Sequence, residues 1–313
     1  MVVCIVGSTA TGKTRLSVAL AEALGGEVVS FDSMQVYRGM TVGTAAPTQE
    51  EMRGVKHHMI GFLDPRERYS VGRYVRDADP IVQDILHRGK PVILVGGTGL
   101  YVDSLVAGRQ FAPFPATGRR EALTRLAEEQ GIEPLMERLR QVDPQAAASI
   151  QPENRKRVIR ALEVYEETGK TITQHNLETQ AIPPKYAPVW IGLEDADRAA
   201  FFRRIERRTA QMLQNGLWQE LLSLLDAGVP ADATAMQAIG YKELLPFLKN
   251  GRALPPEALA RAADEISLRT RQYAKRQRTW FRRNAAVRWL DAGAPFDEIF
   301  SQARRVATAS DKV

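Results

Sequence analysis

The sequence feature that most constrains this chain is a glycine-rich octapeptide near its beginning, Gly7-Ser8-Thr9-Ala10-Thr11-Gly12-Lys13-Thr14. An apolar run, residues 2–6, precedes it, and residues 16–24, with apolar side chains three or four apart, follow it. The run predicts a buried strand, and the following segment predicts an amphipathic helix. A G-x-x-x-x-G-K-[ST] pattern between a strand and a helix is typical of a phosphate-binding loop, or P-loop.

The octapeptide contains the groups that such a loop needs. Gly7 and Gly12 allow the backbone to curl so that several N–H groups point inward. The helix N-terminus adds a positive partial charge, Lys13 adds a full charge, and the Thr14 hydroxyl can bind Mg²⁺. We therefore predict that residues 7–14 bind a diphosphate or triphosphate. The motif alone favours an ATP-binding NTPase or kinase, but it does not say whether a phosphoryl group is transferred.

Strand-like and helix-like segments alternate over the first third of the chain. Apolar runs at residues 27–31 and 91–95 predict two further strands. Residues 71–85 show helical spacing, and Pro80 is expected to kink or restart that helix. This alternation predicts an α/β fold with a doubly wound parallel sheet, as in P-loop NTPases.

The composition then changes, and the chain becomes helical and polar with little strand signal. We predict an inserted helical module over residues 113–187 and a strand over residues 189–193 that returns the chain to the sheet. Residues 1–112 and 188–313 would then form the α/β core with a helical C-terminal region. The tail after Ser301 is expected to be frayed.

Composition narrows the function classes. Lys and Arg outnumber Asp and Glu by 43 to 37, and the resulting net charge of +6 permits a nucleic-acid partner. Cys4 is the single cysteine and lies in the first predicted strand, so disulfides and cysteine-rich zinc sites are excluded. The chain has no apolar run of 18 residues and no signal peptide, so we expect a cytoplasmic protein without a membrane span.

Two polar side chains are expected beside the P-loop, at the carboxyl ends of strands, where ligands of parallel α/β sheets bind. Asp32 has three interpretations: a Mg²⁺ ligand through water, a general base for an acceptor nucleophile, or a helix N-cap. Thr98 is either a helix cap or a hydroxyl in the cleft. The glycines on both sides of Thr98 indicate that some other group approaches closely.

Basic residues cluster in two predicted helices. In the module they crowd the start of a helix and form either a solvated face or a nucleic-acid contact; they are Arg155, Lys156, Arg157 and Arg160. Near the C-terminus they form an i, i+4, i+7, i+11 stripe of Arg271, Lys275, Arg278 and Arg282. A different face of that helix, with Ile266, Tyr273 and Trp280, would pack on the core. A basic stripe opposite a packing face is typical of proteins that bind a phosphate backbone.

Together these motifs resemble those of the bacterial tRNA dimethylallyltransferases, also called tRNA isopentenyltransferases. Matching stretches follow in order along nearly the whole chain. Besides the octapeptide they include Asp32-Ser33-Met34-Gln35-Val36-Tyr37-Arg38, Gly43-Thr44-Ala45, Gly96-Gly97-Thr98-Gly99-Leu100-Tyr101, Ile239-Gly240-Tyr241-Lys242-Glu243 and Thr270-Arg271-Gln272-Tyr273-Ala274-Lys275-Arg276-Gln277. The octapeptide departs from the usual family pattern at Ser8, where proline is common, and at Thr11, where serine is common.

The resemblance implies transfer of a dimethylallyl group from dimethylallyl diphosphate to N6 of the adenine on the 3′ side of the anticodon in tRNA. It implies that the P-loop binds the donor diphosphate without cleaving ATP, with Mg²⁺ near Thr14, and that Arg208 also binds the diphosphate. Asp32 would be the general base, and Thr98 would lie near the reacting groups. The residues implied to contact the tRNA anticodon stem-loop are Asp32, Ser33, Met34 and Gln35 of the core and Lys156, Arg157, Val158, Ile159 and Arg160 of the module. We expect the protein to act as a monomer.

Three other functions are alternatives to this one. A small-molecule P-loop kinase would consume ATP and would not need the helical module. Prenyl transfer onto free adenine nucleotides would need neither the module nor the basic stripe. An RNA-binding nucleotide switch is disfavoured, because the chain has no N-K-x-D tetrapeptide for base recognition.

Overall fold

The computed structural model describes residues 1–109, 117–180, 183–250 and 252–309. The chain divides into two compact units, one formed by Met1–Gly108 with Lys185–Val313 and the other by Arg109–Pro184. The predicted boundary between residues 112 and 113 lies outside the described residues. The predicted return to the core at residue 188 lies a few residues beyond the division at Lys185.

The strands of the first unit form one sheet. They are β1 (Val2–Gly7), β2 (Glu27–Ser30), β3 (His57–His58), β4 (Val92–Val95), β5 (Val189–Glu194) and β6 (Arg288–Asp291). Within the described ranges the order is β3-β2-β4-β1-β5-β6, and every neighbouring pair is parallel. The doubly wound parallel α/β fold expected from the sequence is confirmed.

Helices connect the strands and are the regular elements of the described part of the second unit. In chain order they are α1 (Lys13–Leu24), α2 (Gln49–Met52), α3 (Val71–His87), α4 (Gly99–Val106), α5 (Arg119–Glu129), α6 (Glu133–Val142), α7 (Pro144–Ser149), α8 (Arg155–Thr168), α9 (Ile172–Gln180), α10 (Arg198–Gln214), α11 (Leu217–Asp226), α12 (Tyr241–Leu244), α13 (Pro256–Phe281) and α14 (Phe296–Ala309). Helices α5–α9 belong to the second unit. Among the described residues, none of these helices is both long enough and apolar enough to cross a membrane.

The centre of the sheet is buried on both faces, because helices pack on each side of it. Helices α1 and α14 pack on one face, where Val3 and Ile5 of β1 meet Leu16 and Leu20 of α1. Helices α3 and α13 also contact the sheet, and α4 packs against both of them. Fully burying a leucine contributes about 1.5–3 kcal/mol, so this core fixes the start of α1 directly behind the glycine-rich loop.

The second unit has its own apolar core. Its members come from α5, α6, α7 and α8 and include Leu123, Leu135, Leu139, Val158 and Leu162. The buried side chain of Asp143 caps the N-terminus of α7 by accepting the Ala146 N–H. It also accepts hydrogen bonds from the Thr173 amide (3.0 Å) and hydroxyl (2.7 Å), which joins α9 to this core.

Helix α3 continues through Pro80, which removes one N–H donor without ending the helix, so the helix does not restart there, and the alternative of a kink stays a prediction. One other local expectation was wrong. The tail after Ser301 is helical up to Ala309, because Ala303 and Ala307 are fully buried against the core beside α1. Strands β3 and β6 were not predicted, since both are short edge strands without an alternating apolar pattern.

A buried carboxylate joins three elements at the beginning of β2. Glu27 is only 3% exposed, and its carboxylate accepts hydrogen bonds from the Arg88 guanidinium and from Lys90 Nζ (3.1 Å). His58 Nε2 lies 2.8 Å from Glu27 Oε2. The hydrogen bonds from Arg88 hold the pKa of Glu27 well below its usual range.

We predict that Glu27→Gln lowers the free energy of unfolding by about 2–4 kcal/mol at pH 7, because it leaves a cluster of cations without their anion. The lowered pKa means that the stabilisation is complete above the unfolded value of about 4.3 and is lost as the pH falls below it. Urea unfolding at pH 7 and at pH 3 measures both effects, because the unfolded carboxyl is largely protonated at pH 3 and the native one is not. Glu22→Gln is the control, because Glu22 pairs with Arg53 at the surface, where such pairs contribute about 0–1 kcal/mol. Equal losses in the two variants would contradict this account.

Candidate functional site

A cavity of about 740 Å³ opens at the carboxyl ends of β1, β2 and β4. Each of these strand ends contributes residues to its lining, as does the helical C-terminal region. The lining includes Thr9–Thr14 of the glycine-rich loop, Asp32, Ser33, Met34 and Gln35 after β2, Gly43, Thr44 and Ala45, Gly96 and Gly97 after β4, Arg208 of α10, and Tyr273, Arg276 and Gln277 of α13. The structure therefore brings together the P-loop, Asp32 and Arg208, as the sequence predicts.

The glycine-rich loop has the backbone conformation of a phosphate cradle. Gly12 has φ +85° at the start of α1, a left-handed conformation that favours glycine. Lys13 bends back over the loop, and its Nζ donates a hydrogen bond to the Ser8 carbonyl (2.5 Å). The Thr11 hydroxyl donates to the same carbonyl (2.8 Å). These contacts keep the loop closed around the space that Thr9 to Thr14 line.

Gly7 and Ser8 are not among the residues that line the cavity, and their contribution to diphosphate binding stays a prediction. Gly7 lies against the backbone of Leu193, and the side chain of Ser8 points toward α13, where its Oγ donates to the Ala274 carbonyl (3.2 Å). These two residues attach the loop to β5 and α13. The usual proline of the family lacks the hydroxyl that makes the second contact.

Two half-buried cations, Lys13 and Arg208, line the cavity. Burial, and then the neighbouring Arg208, lower the pKa of Lys13 to about 7, although Asp32 opposes this shift. Burial also lowers the pKa of Arg208. Two cations that are placed side by side away from water destabilise each other until an anion joins them. The arrangement is therefore suited to a strongly negative ligand such as a diphosphate.

Asp32 is held in place through one of its two carboxylate oxygens. Its Oδ1 accepts the backbone N–H groups of Met34 (2.9 Å) and Gln35 (3.3 Å), so it stabilises a turn rather than the N-terminus of a helix. Its Oδ2 makes no hydrogen bond within the described ranges. Asp32 thus combines a fixed position with an oxygen that is available to a ligand in the cavity.

Thr98 lies behind the cavity rather than in its lining. Its Oγ1 accepts the Ser33 N–H (3.1 Å) and lies 3.3 Å from the Ser33 hydroxyl, and it makes no side-chain cap to α4. The Tyr273 hydroxyl also bonds to Thr98. The helix-cap interpretation is wrong for its side chain, and the described contacts make Thr98 a support for the segment that follows Asp32.

Gln277 is the residue that the sequence analysis missed. It is 4% exposed, its Oε1 accepts the Thr9 N–H (2.8 Å), and its Nε2 donates to the Gly97 carbonyl (3.0 Å). A Cβ at Gly97 would clash with the Gln277 amide, and a Cβ at Gly99 would clash with the Trp280 ring. The group that approaches the glycines around Thr98 is therefore helix α13. In the sequence, the only indication of this contact is the family motif over residues 270–277, which ends with Gln277.

The residues at the start of α8 fall into an exposed group and a buried group, as the helical period requires. Arg155, Lys156 and Arg157 are exposed. Val158 and Ile159 are buried in the core of the second unit, at 0% and 7% exposure, so their side chains do not share the exposed surface of the three cations, and their contact with tRNA stays a prediction. Arg160 is half-buried and donates to Glu163 (3.0 Å), which joins it to the folded module.

The basic stripe of α13 is largely paired with carboxylates. Arg271 lies 3.3 Å from Glu206, and Arg278 and Arg282 lie 3.5 and 2.9 Å from Glu194. Lys275 is exposed and has no acidic partner among the described residues. This pairing reduces the positive charge that the stripe presents. On the face of the same helix toward the cavity, Arg276 is a lining residue that the sequence analysis did not single out.

The oxygen atoms that line the cavity fit a Mg²⁺ ion that is bound mainly by the phosphates of a substrate and only partly by the protein. Thr14, Asp32 and Glu51 line the cavity, but the described part of the chain contains no cluster of three or more His, Cys, Asp or Glu side chains. Mg²⁺ is commonly bound by one or two protein oxygens together with substrate phosphates and water. Thr14 and Asp32 match this pattern.

Comparison with known proteins gives consistent matches. The family model described as IPP transferase matches residues 35–284, and that described as isopentenyl transferase matches residues 1–68. The chain is 45% identical over 291 residues to a tRNA dimethylallyltransferase of Caldanaerobacter subterraneus, with 92% of this chain and 91% of the relative covered. It is 42% identical over 297 residues to that of Geobacter sulfurreducens, with 95% and 94% covered.

Solved structures give the same result. The full-length tRNA isopentenylpyrophosphate transferase of Bacillus halodurans matches with a TM-score of 0.71 and 42% identity over 97% of this chain and 94% of that one. A eukaryotic dimethylallyltransferase acting on tRNA matches with a TM-score of 0.84 and 30% identity over 99% of this chain and 78% of that one. From these matches and from the cavity that joins its motifs, this chain belongs to the IPP transferase family of tRNA dimethylallyltransferases.

Proposed function

We propose that this protein transfers a dimethylallyl group from dimethylallyl diphosphate to N6 of the adenine on the 3′ side of the anticodon in tRNA. One observation carries the proposal: the cation pair Lys13 and Arg208 and the carboxylate of Asp32 line the same cavity. A diphosphate leaving group requires the cations, and an amine acceptor that loses a proton requires the carboxylate. The names of the relatives and of the matching structures agree with this reaction.

The cationic side of the cavity promotes departure of the diphosphate. As the bond between C1 of the dimethylallyl group and the diphosphate oxygen breaks, negative charge accumulates on that oxygen. Lys13, Arg208 and the amides of the P-loop are placed to stabilise this charge, and a buried site makes such stabilisation stronger than it would be in water. Mg²⁺, when bound by the diphosphate and the Thr14 hydroxyl, would add further charge neutralisation to the leaving group.

The carboxylate side of the cavity activates the acceptor. The N6 amine of adenine is a weak nucleophile, because its lone pair is delocalised into the ring. As the bond between N6 and C1 forms, one N6 proton passes to Asp32 Oδ2, the oxygen that makes no hydrogen bond in the described structure. The products are N6-dimethylallyladenosine in the tRNA, diphosphate and a protonated Asp32, which returns its proton to solvent.

The acceptor must leave its base stack to reach a cavity of this kind. Flipping a base out of a stack costs about a few kcal/mol, least for a base in a single-stranded loop. Exposed cations of the protein supply favourable contacts with tRNA phosphates that offset this cost. In this proposal Arg155, Lys156 and Arg157 of α8 and Lys275 of α13 serve that purpose, and the carboxylate partners of Arg271, Arg278 and Arg282 weaken their contribution.

Incubation with radiolabelled dimethylallyl diphosphate, Mg²⁺ and unmodified tRNA tests the proposal, with AMP and ATP as parallel acceptors. Label confined to tRNA, at the adenine next to the anticodon after nuclease digestion, is the expected result. Label in AMP or ATP would move the function to prenylation of free nucleotides. ATP turnover without label in any acceptor would overturn the proposal in favour of a kinase.

Asp32→Asn is predicted to lower kcat about 10²- to 10⁴-fold, the usual contribution of a general base. Asparagine keeps the oxygen that accepts the Met34 and Gln35 amides but cannot take the proton, so the Kd for tRNA should stay unchanged. Single-turnover transfer and filter binding measure the two quantities. Asp64→Asn is the matched control, because Asp64 accepts a local N–H from Arg66 at the surface. Full activity of Asp32→Asn would sink the assignment.

Donor binding is predicted to take up a proton at pH 8. Lys13 has a pKa of about 7 in the free protein, and a bound diphosphate raises that pKa, so binding is strongest below pH 7 and weakens as the pH rises above it. Calorimetry in two buffers with different ionisation enthalpies measures the proton count. Lys13→Arg should abolish the uptake, because arginine stays charged throughout this range. Equal binding heats in both buffers for the wild-type protein would show that Lys13 does not titrate here.

The exposed cations of α8 are predicted to contact tRNA phosphates. The double variant Lys156→Ala/Arg157→Ala should weaken tRNA binding and reduce the slope of log K against log salt by about two, roughly one for each lost phosphate contact. The donor KM should not change. Arg140→Ala/Lys170→Ala removes two positive charges from the same module, where both residues already pair with glutamates, and serves as the control. An equal loss of slope in both double variants would reduce the effect to net charge.

A further inference from the structure

A carboxylate outside the cavity lining organises a loop that belongs to it. Glu220 of α11 accepts hydrogen bonds from three consecutive backbone N–H groups. They are those of Thr41 (2.8 Å) and Val42 (2.8 Å) to Oε2 and that of Gly43 (2.9 Å) to Oε1. The Thr41 hydroxyl also donates to Oε2 (2.9 Å). Successive N–H groups that converge on one point form an anion-binding nest, and here the anion is a side chain of the same protein.

Tyr241 of α12 completes this arrangement. Its hydroxyl donates to Glu220 Oε1, and its ring is fully buried. A Cβ at Gly43 would clash with the Tyr241 ring, so glycine is required there for the loop to lie against the tyrosine. Together Glu220 and Tyr241 fix the backbone of residues 41–43 from two sides.

The same loop continues into the cavity and orients an acceptor-side residue. The carbonyls of Thr44 and Ala45 accept hydrogen bonds from Gln35 Nε2 at 3.4 and 3.3 Å. The Ser30 hydroxyl donates to Gln35 Oε1 (3.1 Å), which fixes the direction of the amide. Gln35 lies next to the segment that holds Asp32, and Gln35, Thr44 and Ala45 all line the cavity.

We propose that Glu220 and Tyr241 are positioning residues for the acceptor base, acting through residues 41–45 on the amide of Gln35. This inference rests on the proposed function, because it takes Gln35 to face the adenine. The chain of contacts contains no residue of the P-loop. Loss of Glu220 therefore impairs use of the acceptor more than binding of the donor.

Glu220→Gln tests the inference, since it keeps the size of the side chain. Whichever way the new amide turns, its NH₂ group faces backbone N–H donors that cannot rotate away. The expected result is an acceptor KM raised about tenfold or more, the size of losing hydrogen bonds to a charged group, with the donor KM unchanged. In a Gln35→Ala background the same substitution should have a smaller effect, because residues that act through one another are not additive.

Glu257→Gln is the control, because Glu257 is an exposed glutamate in the first turn of α13 that does not line the cavity. Thermal unfolding of each variant separates positioning from loss of structure. Tyr241→Phe, which keeps the ring against Gly43 and removes one donor, should raise the acceptor KM to a smaller extent and carries the test if Glu220→Gln does not fold.

An unchanged acceptor KM would overturn the inference, as would equal rises in both KM values or independent effects of Gln35 and Glu220. Failure of the proposed function would look different. It would appear as absent transfer to tRNA in the wild-type protein, which is measured in the same assay.

Discussion

The site depends on one buried amide. Gln277, on a helix near the end of the chain, accepts the Thr9 N–H of the P-loop and donates to the Gly97 carbonyl after β4. The Gly97 carbonyl is buried and would otherwise lack this hydrogen bond, at a cost of about 1–3 kcal/mol, whereas Thr9 is half-buried at the cavity. The amide therefore fixes the distance between the two strand ends that bound the cavity. It also holds α13 against the carboxyl ends of β1 and β4.

The charges of the cavity follow from that enclosure. Lys13 and Arg208 are half-buried and line the same cavity as residues of α13, and desolvation together with the neighbouring Arg208 lowers the pKa of Lys13 to about 7. The same enclosure keeps Asp32 close to both cations. In the proposed function, a P-loop in this setting holds a leaving group next to a proton acceptor. An ATP-cleaving site would instead be expected to carry a second Mg²⁺-binding carboxylate at the end of β4, where this chain has glycines.

The features of the site that could be predicted from the sequence are those that short local patterns encode. The octapeptide, the strand ends and the position of Asp32 are local signals, and parallel topology brings such positions to one edge. Gln277 and Glu220 contact backbone groups that lie 268 and 179 residues away in the sequence. Neither residue could be predicted, because a single polar residue on a helix carries no periodic signal. Val158 and Ile159 could have been assigned to the core, because Leu162 follows them at the i+4 and i+3 spacing of one helix face. That spacing separates them from the basic residues of the same helix.

The central claim is that this P-loop holds a prenyl diphosphate as a leaving group and does not cleave ATP. The most direct test counts, in one single-turnover sample containing tRNA, labelled donor and ATP, the diphosphate released, the dimethylallyl groups in tRNA and the ADP formed. The account predicts one diphosphate for each dimethylallyl group and no ADP above the enzyme-free blank. ADP formed in proportion to modified tRNA, or diphosphate released without transfer to tRNA, would contradict it.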